Sequence, residues 1–235
     1  MAEVTVFTDK RLRKTFCPLM KNDHRLMGDS IRDKLLASLP VSGDNLKIRL
    51  CERGDYDALA GWPPYLWPYD GFTLRFASMS RMELDQLHED RLGEEDRVTL
   101  VADSGPDLVV GYVALVQIDW ERGVAENMAI RLHPDHCDRG IGTRMLEQVR
   151  DWWFRCGMKG LRLDVAATNH RAVRSYLNAG FIVAGEFWRE APDLENVDMG
   201  DSRYDFLRGH TRFGGKVPET RFYWMEIMQR RLDNT

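Results

Sequence analysis

The sequence predicts a layered α/β domain, and three observations carry that expectation. Met128, Ile130 and Leu132 alternate with smaller or polar residues, which is the period of a strand. A short loop with Gly140 and Gly142 follows, and then Ile141, Met145, Val149, Trp152, Trp153 and Cys156 fall on one stripe at helical spacing. After Gly157 and Gly160, residues 161–165 alternate strictly, Ala172, Val173, Tyr176 and Leu177 share a helical face, and 181–188 is a third apolar run. Strand, glycine loop and helix, strand, helix, strand is the order of a sheet covered by helices.

Taken from the start, residues 1–45 read as an N-terminal extension, partly helical, and 46–235 as the domain proper. A helix is expected over 30–39 and stops at Pro40, which cannot continue it. Residues 46–50 alternate and would be the first strand of the domain. Gly54 and Asp55 begin a helix carrying Tyr56 and Leu59. Three prolines between Trp62 and Gly71 exclude regular structure there, and 82–92 reads as a helix. Residues 98–102 and 108–118 flank the turn 103–107 and form a hairpin, continued by 124–132. Thr168 and Asn169 offer a helix cap, Gly180 ends that helix, and 221–227 is a last strand. The polar connection 191–220 is long enough to be functional or mobile.

The loop between strand and helix carries the chemistry. Pro134 stops the strand, and Gly140 and Gly142 let several backbone N–H groups converge at the positive end of the following helix. Such an end holds phosphates. A P-loop is excluded because Thr143-Arg144, not Lys-Ser/Thr, follows Gly142. A dinucleotide fingerprint is excluded because Met145 stands where its third glycine belongs. The plain alternative is a tight turn with no ligand.

Two motifs together resemble the GNAT superfamily of N-acetyltransferases, which use acetyl-coenzyme A. The first is the loop with Arg139, Gly140 and Gly142, six residues after Pro134. The second is Asn169, Ala172 and Tyr176 followed by Gly180-Phe181. Cys137 departs from the pattern, standing where the family has Gln or Arg. The resemblance covers the last half of the chain and begins faintly near Leu46. It implies a central mixed, mostly antiparallel β-sheet flanked by helices, and a small-molecule or peptide amine as substrate. A homodimer is compatible with it.

The resemblance also implies roles. The cofactor's pyrophosphate would rest on the backbone of Asp138, Arg139, Gly140, Ile141, Gly142 and Thr143. Its pantetheine would run between Ile130-Arg131-Leu132 and the strand 161–165, with Asn169 touching it as well as capping its helix. Tyr176 would protonate the leaving thiolate, although it also fits a half-buried structural tyrosine. Glu126, 14 positions before Gly140, would take up the amine's proton, or would simply be a solvated strand end. Trp62, Tyr65, Trp67, Tyr69 and Phe72 crowd one proline-stiffened loop with Asp70, as a core lid or as the wall of an acceptor site.

Composition fits a one-domain enzyme. A formal net charge of −4 exerts no strong pull toward nucleic acid or an anionic membrane. No apolar run approaches a membrane span, and the N-terminus lacks a signal pattern. The cysteines at 17, 51, 137 and 156 are scattered, which reads as a reduced, cytoplasmic setting. His133 and His136, three apart without a third ligand, make a poor metal site and read as surface or packing residues. The resemblance implies an acetyl-CoA-dependent N-acetyltransferase, using direct attack by the amine and no metal. The alternatives are a non-catalytic acetyl-CoA or ligand-sensing domain of the same fold, and a nucleotide-binding module.

Overall fold

The computed structural model describes residues 31–105 and 108–229. Most of the N-terminal extension, including Cys17 and the expected helix start at 30, lies outside the described residues, as do positions 106 and 107 of the hairpin turn. A nine-stranded sheet runs in the order β1-β2-β3-β4-β5-β6-β9-β7, with β8 against β9. Every pair is antiparallel except β5 with β6.

Strand β2 spans Leu46–Leu50, as expected, but it is not the first. Residues Val41–Gly43 form β1 ahead of it. Asp44 and Asn45 join the two with φ of 51° and 61°, the doubly positive turn that matches the twist of a hairpin. The hairpin β3 (Val98–Asp103) and β4 (Val109–Asp119) lies next, then β5 (Val124–Leu132). The second half of the sheet holds β6 (Gly160–Ala166), β7 (Ile182–Glu190), β8 (Thr211–Arg212) and β9 (Glu219–Met228). Gly160 thus opens a strand; Gly157, at φ 83°, is the glycine that closes the preceding helix.

Helices cover both faces. On one lie α1 (residues 31–37), α4 (Ile141–Arg155) and α5 (His170–Asn178). Their Leu35, Met145, Val149 and Trp153 pack on Ile48, Leu100, Leu115, Met128 and Leu163. Both indoles of the Trp152-Trp153 pair are satisfied, by Ser38 Oγ at 2.8 Å and by the Gly160 carbonyl at 2.9 Å. On the other face, α2 (Arg53–Ala60) and α3 (Arg81–Gly93) bury Tyr56, Leu59 and Leu84 against Val101, Tyr112 and Ala114. Trp224 of β9, on the face opposite its buried neighbour Met225, remains 46% exposed.

The feature that makes a site is the parallel pair. Strands β5 and β6 pair only at Val124↔Gly160 and Ala125↔Leu161, then part. From Glu126 onward the edge of β5 faces a gap.

Candidate active site

The gap opens into a cavity of about 290 Å³. Ile130, Arg131 and Leu132 line one side, the glycine loop with Asp138, Gly140, Gly142 and Thr143 its floor, and Asn169 and Tyr176 of α5 the other side. Tyr65, Tyr69 and Phe72 close it from the proline-rich loop.

Local backbone explains the floor. Asp138 and Gly140 both have positive φ, 59° and 72°, and this double reversal turns the chain into α4. Gly140 caps α4 without a side-chain hydrogen bond, and no acidic residue stands in the first turn. The first-turn N–H groups of α4 therefore keep their partial positive charge for an anion. Arg131, Arg171 and Arg174 line the same cavity. Arg171 lies 3.3 Å from the Asp138 carboxylate and 4.7 Å over the Tyr69 ring. A Cβ on Gly142 would meet only Ser175 Oγ at 3.8 Å and Leu132 Cδ2 at 3.9 Å, so the cradle is open above it. A donor set of uncapped amides and guanidiniums fits a diphosphate.

Tyr176 is 5% exposed, with its ring against Phe181 at 5.7 Å. Burial pushes its phenol well above the ordinary value, and the Arg131 charge pulls it back in part. It stays protonated at neutral pH. Asn169 caps α5, its side chain accepting from the Ala172 N–H at 3.2 Å, while also lining the cavity.

The edge of β5 has a defined orientation. His133 N–H donates to the Val110 carbonyl at 2.8 Å. In the antiparallel alternation this turns the N–H and C=O of Leu132 and Ile130 away from β4, toward the gap. Arg131 Nη1 donates to the Ile130 carbonyl at 2.8 Å, and the Tyr65 hydroxyl engages both Leu132 groups.

The acetyltransferase (GNAT) family model matches residues 62–181, more than half of the 235-residue chain. The chain belongs to the GNAT family of acetyltransferases. It is an acetyl-CoA-dependent N-acetyltransferase. No curated protein matches the sequence significantly. Solved structures share the fold of this GNAT acetyltransferase. Spermidine N-acetyltransferase from Vibrio cholerae in complex with CoA and spermine is 21% identical, with a TM-score of 0.56 over 80% of this chain and 97% of that one. A dodecameric form of the Vibrio enzyme is 20% identical, with a TM-score of 0.55 over 82% and 98% of the two chains. A GNAT-family acetyltransferase from Streptococcus pneumoniae is 20% identical, with a TM-score of 0.50 over 78% and 99%.

Several expected site residues are not among the side chains that line the cavity itself. Glu126 stands at the root of the gap, one position past the last β5–β6 pair. Arg162, its neighbour across the parting, bonds Glu126 at 2.8 Å and Glu226 on β9 at 3.0 Å, and Arg122 bonds Glu126 at 2.9 Å. Ile141 turns its side chain into the core, leaving only its backbone for the loop, and the Arg139 side chain is exposed. Trp62 is 9% exposed, edge-on to His133 at 5.3 Å. Asp70 is exposed, and Trp67 reaches away from the cavity. Its ring meets Tyr204 at 5.2 Å and Phe206 at 5.5 Å in the 191–220 connection, so the proline-rich loop and that connection join there.

Leu146, Arg171, Arg174, Ser175 and Asn178 line the cavity without having been singled out, and so does Cys137, noted only as a departure from the family's loop. The signal was present on α5: positions 171, 174, 175 and 178 repeat at helical spacing. Such a polar stripe reads as a solvated face until the fold shows what borders it. Among the described residues, no group of three or more His, Cys, Asp or Glu side chains is placed to hold a metal, and no helix is long and apolar enough to cross a membrane.

Proposed function

We propose that this acetyltransferase moves the acetyl group of acetyl-CoA to a primary amine by direct attack within the cavity between β5 and β6. The observation that carries the reading is the convergence of three things on one space: the uncapped N-terminus of α4, the outward backbone edge of β5, and the buried Tyr176 hydroxyl. Acetyl-CoA supplies a thioester carbonyl open to a nitrogen nucleophile. The protein does the rest. The backbone of 138–143 and the guanidiniums of Arg171 and Arg174 hold the diphosphate. The edge of β5 takes the amide arm as an added strand. The Ile130 N–H, turned toward the gap, would donate to the carbonyl oxygen as it gains charge. A C–N bond forms, the C–S bond breaks with its electron pair on sulfur, and Tyr176 gives the sulfur a proton.

Direct attack is favoured over an acyl-enzyme by the state of Cys137. Burial pushes that thiol upward, so little thiolate is present to act as a nucleophile.

The acceptor would approach past Tyr69 and Phe72, with the Trp67 junction to Tyr204 and Phe206 as its outer wall. Polyamines come first in the panel because a neighbour of this fold is described with spermine. The reading includes a cytoplasmic protein working as a homodimer, which the exposed apolar residues Ile182 and Val183 on edge strand β7 support. The test is thiol release from acetyl-CoA by the purified protein with spermine, spermidine, simple alkylamines and a lysine peptide. Amine-dependent release is expected. A CoA-induced rise in melting temperature with no release across the panel would favour the ligand-sensing alternative.

Glu126 is proposed to receive the amine's proton through water, supported by its place at the root of the gap. A lysine-like amine, with a reference pKa of about 10.4, is mostly protonated at pH ~7 and cannot attack. Glu126→Gln should lower kcat/KM at neutral pH and recover partly as pH rises and the amine becomes neutral on its own. Arg162 keeps Glu226 as a partner in this variant, so the fold should hold. A loss of equal size at every pH would reduce Glu126 to anchoring Arg162.

A further inference from the structure

One hydroxyl serves both polar groups of a single residue. Tyr65 donates to the Leu132 carbonyl and accepts from the Leu132 N–H at 3.2 Å. These are the groups that the parting of β5 from β6 leaves without a ladder partner. Half-buried backbone groups need one, and Tyr65 reaches across 67 positions of sequence to provide it. An extended ligand with amide groups, laid along the same edge, asks for the same N–H and C=O. The single Leu132 N–H cannot donate to both at once.

We propose that Tyr65 is a displaceable latch: the amide arm of acyl-CoA replaces its hydroxyl on Leu132, and the loop that carries Tyr65 is thereby released to complete the acceptor site. The inference rests on the cofactor placement proposed above. The loop transmits the change because its prolines at 63, 64 and 68 stiffen it. Tyr65 N–H donates to Thr73 Oγ1 at 3.0 Å, so its two ends are tied together. Arg131 Nε donates to the Phe72 carbonyl at 3.1 Å, a second tie between the loop and β5. Trp67, two residues beyond Tyr65, carries the contact with Tyr204 and Phe206. A shift at Tyr65 therefore reaches the outer wall of the acceptor approach.

Calorimetric titration of wild type and Tyr65→Phe with two probes tests this: CoA, and phosphoadenosine diphosphate, the nucleotide half that has no amide arm. The variant keeps the ring and loses only the latch. Its CoA affinity should rise about fivefold, the equivalent of ~1 kcal/mol for a net hydrogen bond no longer competing. Affinity for the nucleotide half should not move. Unchanged or weaker CoA binding would overturn the latch, and so would an equal gain for both probes, which would signal general loosening of the site. Wild type failing to bind CoA would instead overturn the cofactor placement, and the latch with it.

Discussion

Tyr176→Phe should lower kcat by about 100-fold or more while CoA affinity stays within about twofold. The expectation follows from what the phenol does and from what the substitution leaves alone. The ring is 5% exposed and packs on Phe181, and phenylalanine keeps that contact. Only the hydroxyl is lost. Burial raises the phenol's pKa, so at neutral pH the group has a proton to give and is regenerated as an acid after each turnover. The sign matters for pH dependence. A raised pKa moves any loss of activity from phenol deprotonation further into alkaline solution, so no limb from Tyr176 is expected across the neutral range. Steady-state kinetics with a saturating amine, set beside CoA titration, separates the two quantities. A near-normal kcat would make Tyr176 a packing residue. A fall in CoA affinity as large as the fall in kcat would mean the hydroxyl positions the cofactor.

How much of this was legible depends on which forces act locally. Strands 46–50 and 124–132 appear at their expected bounds because each buries side chains on a sheet and therefore alternates in sequence. Helix α4 was legible because its stripe faces a single core. Strand β1 was not, since three residues held by a hairpin turn carry no periodicity. The 191–220 connection contains two short 3₁₀ turns and a two-residue strand, and tertiary contacts order it: Thr211 pairs with Thr220, and His210 meets His170 at 5.3 Å. The site divides along the same line. Gly140, Gly142, Asn169 and Tyr176 lie in two contiguous motifs whose spacing encodes a turn, a cap and a helix face. The contact of Tyr65 with Leu132 exists only because the sheet parts beside it, and Arg171 and Arg174 become cavity residues only because α5 borders the gap. Trp62 and Trp67 belong to one aromatic run, yet the first is buried and the second is 51% exposed, a distinction that composition does not carry.

Gly142→Trp should abolish the stabilisation that CoA gives the wild type. At 100 times its dissociation constant a ligand adds about 2.7 kcal/mol, or roughly 5–10 °C in melting temperature for a chain of this size. Gly142 is the cleaner of the two loop glycines to test. Gly140 has φ 72°, so any side chain there strains the backbone and confuses loss of binding with loss of fold. Gly142 lies inside α4 without a positive φ, and a Cβ there meets nothing closer than 3.8 Å. Gly142→Ala should therefore melt at or slightly above the wild-type temperature, because alanine favours the helix by up to ~1 kcal/mol. It should keep much of the CoA shift. Tryptophan at the same position fills the space between Leu132 and Ser175 that the diphosphate would occupy. Alanine and tryptophan together make the reading sharp: the shift should fall with side-chain volume while the ligand-free melting temperature stays nearly level. A full CoA shift in the tryptophan variant would remove the diphosphate from this loop, and the arginines of α5 would then have to hold it elsewhere.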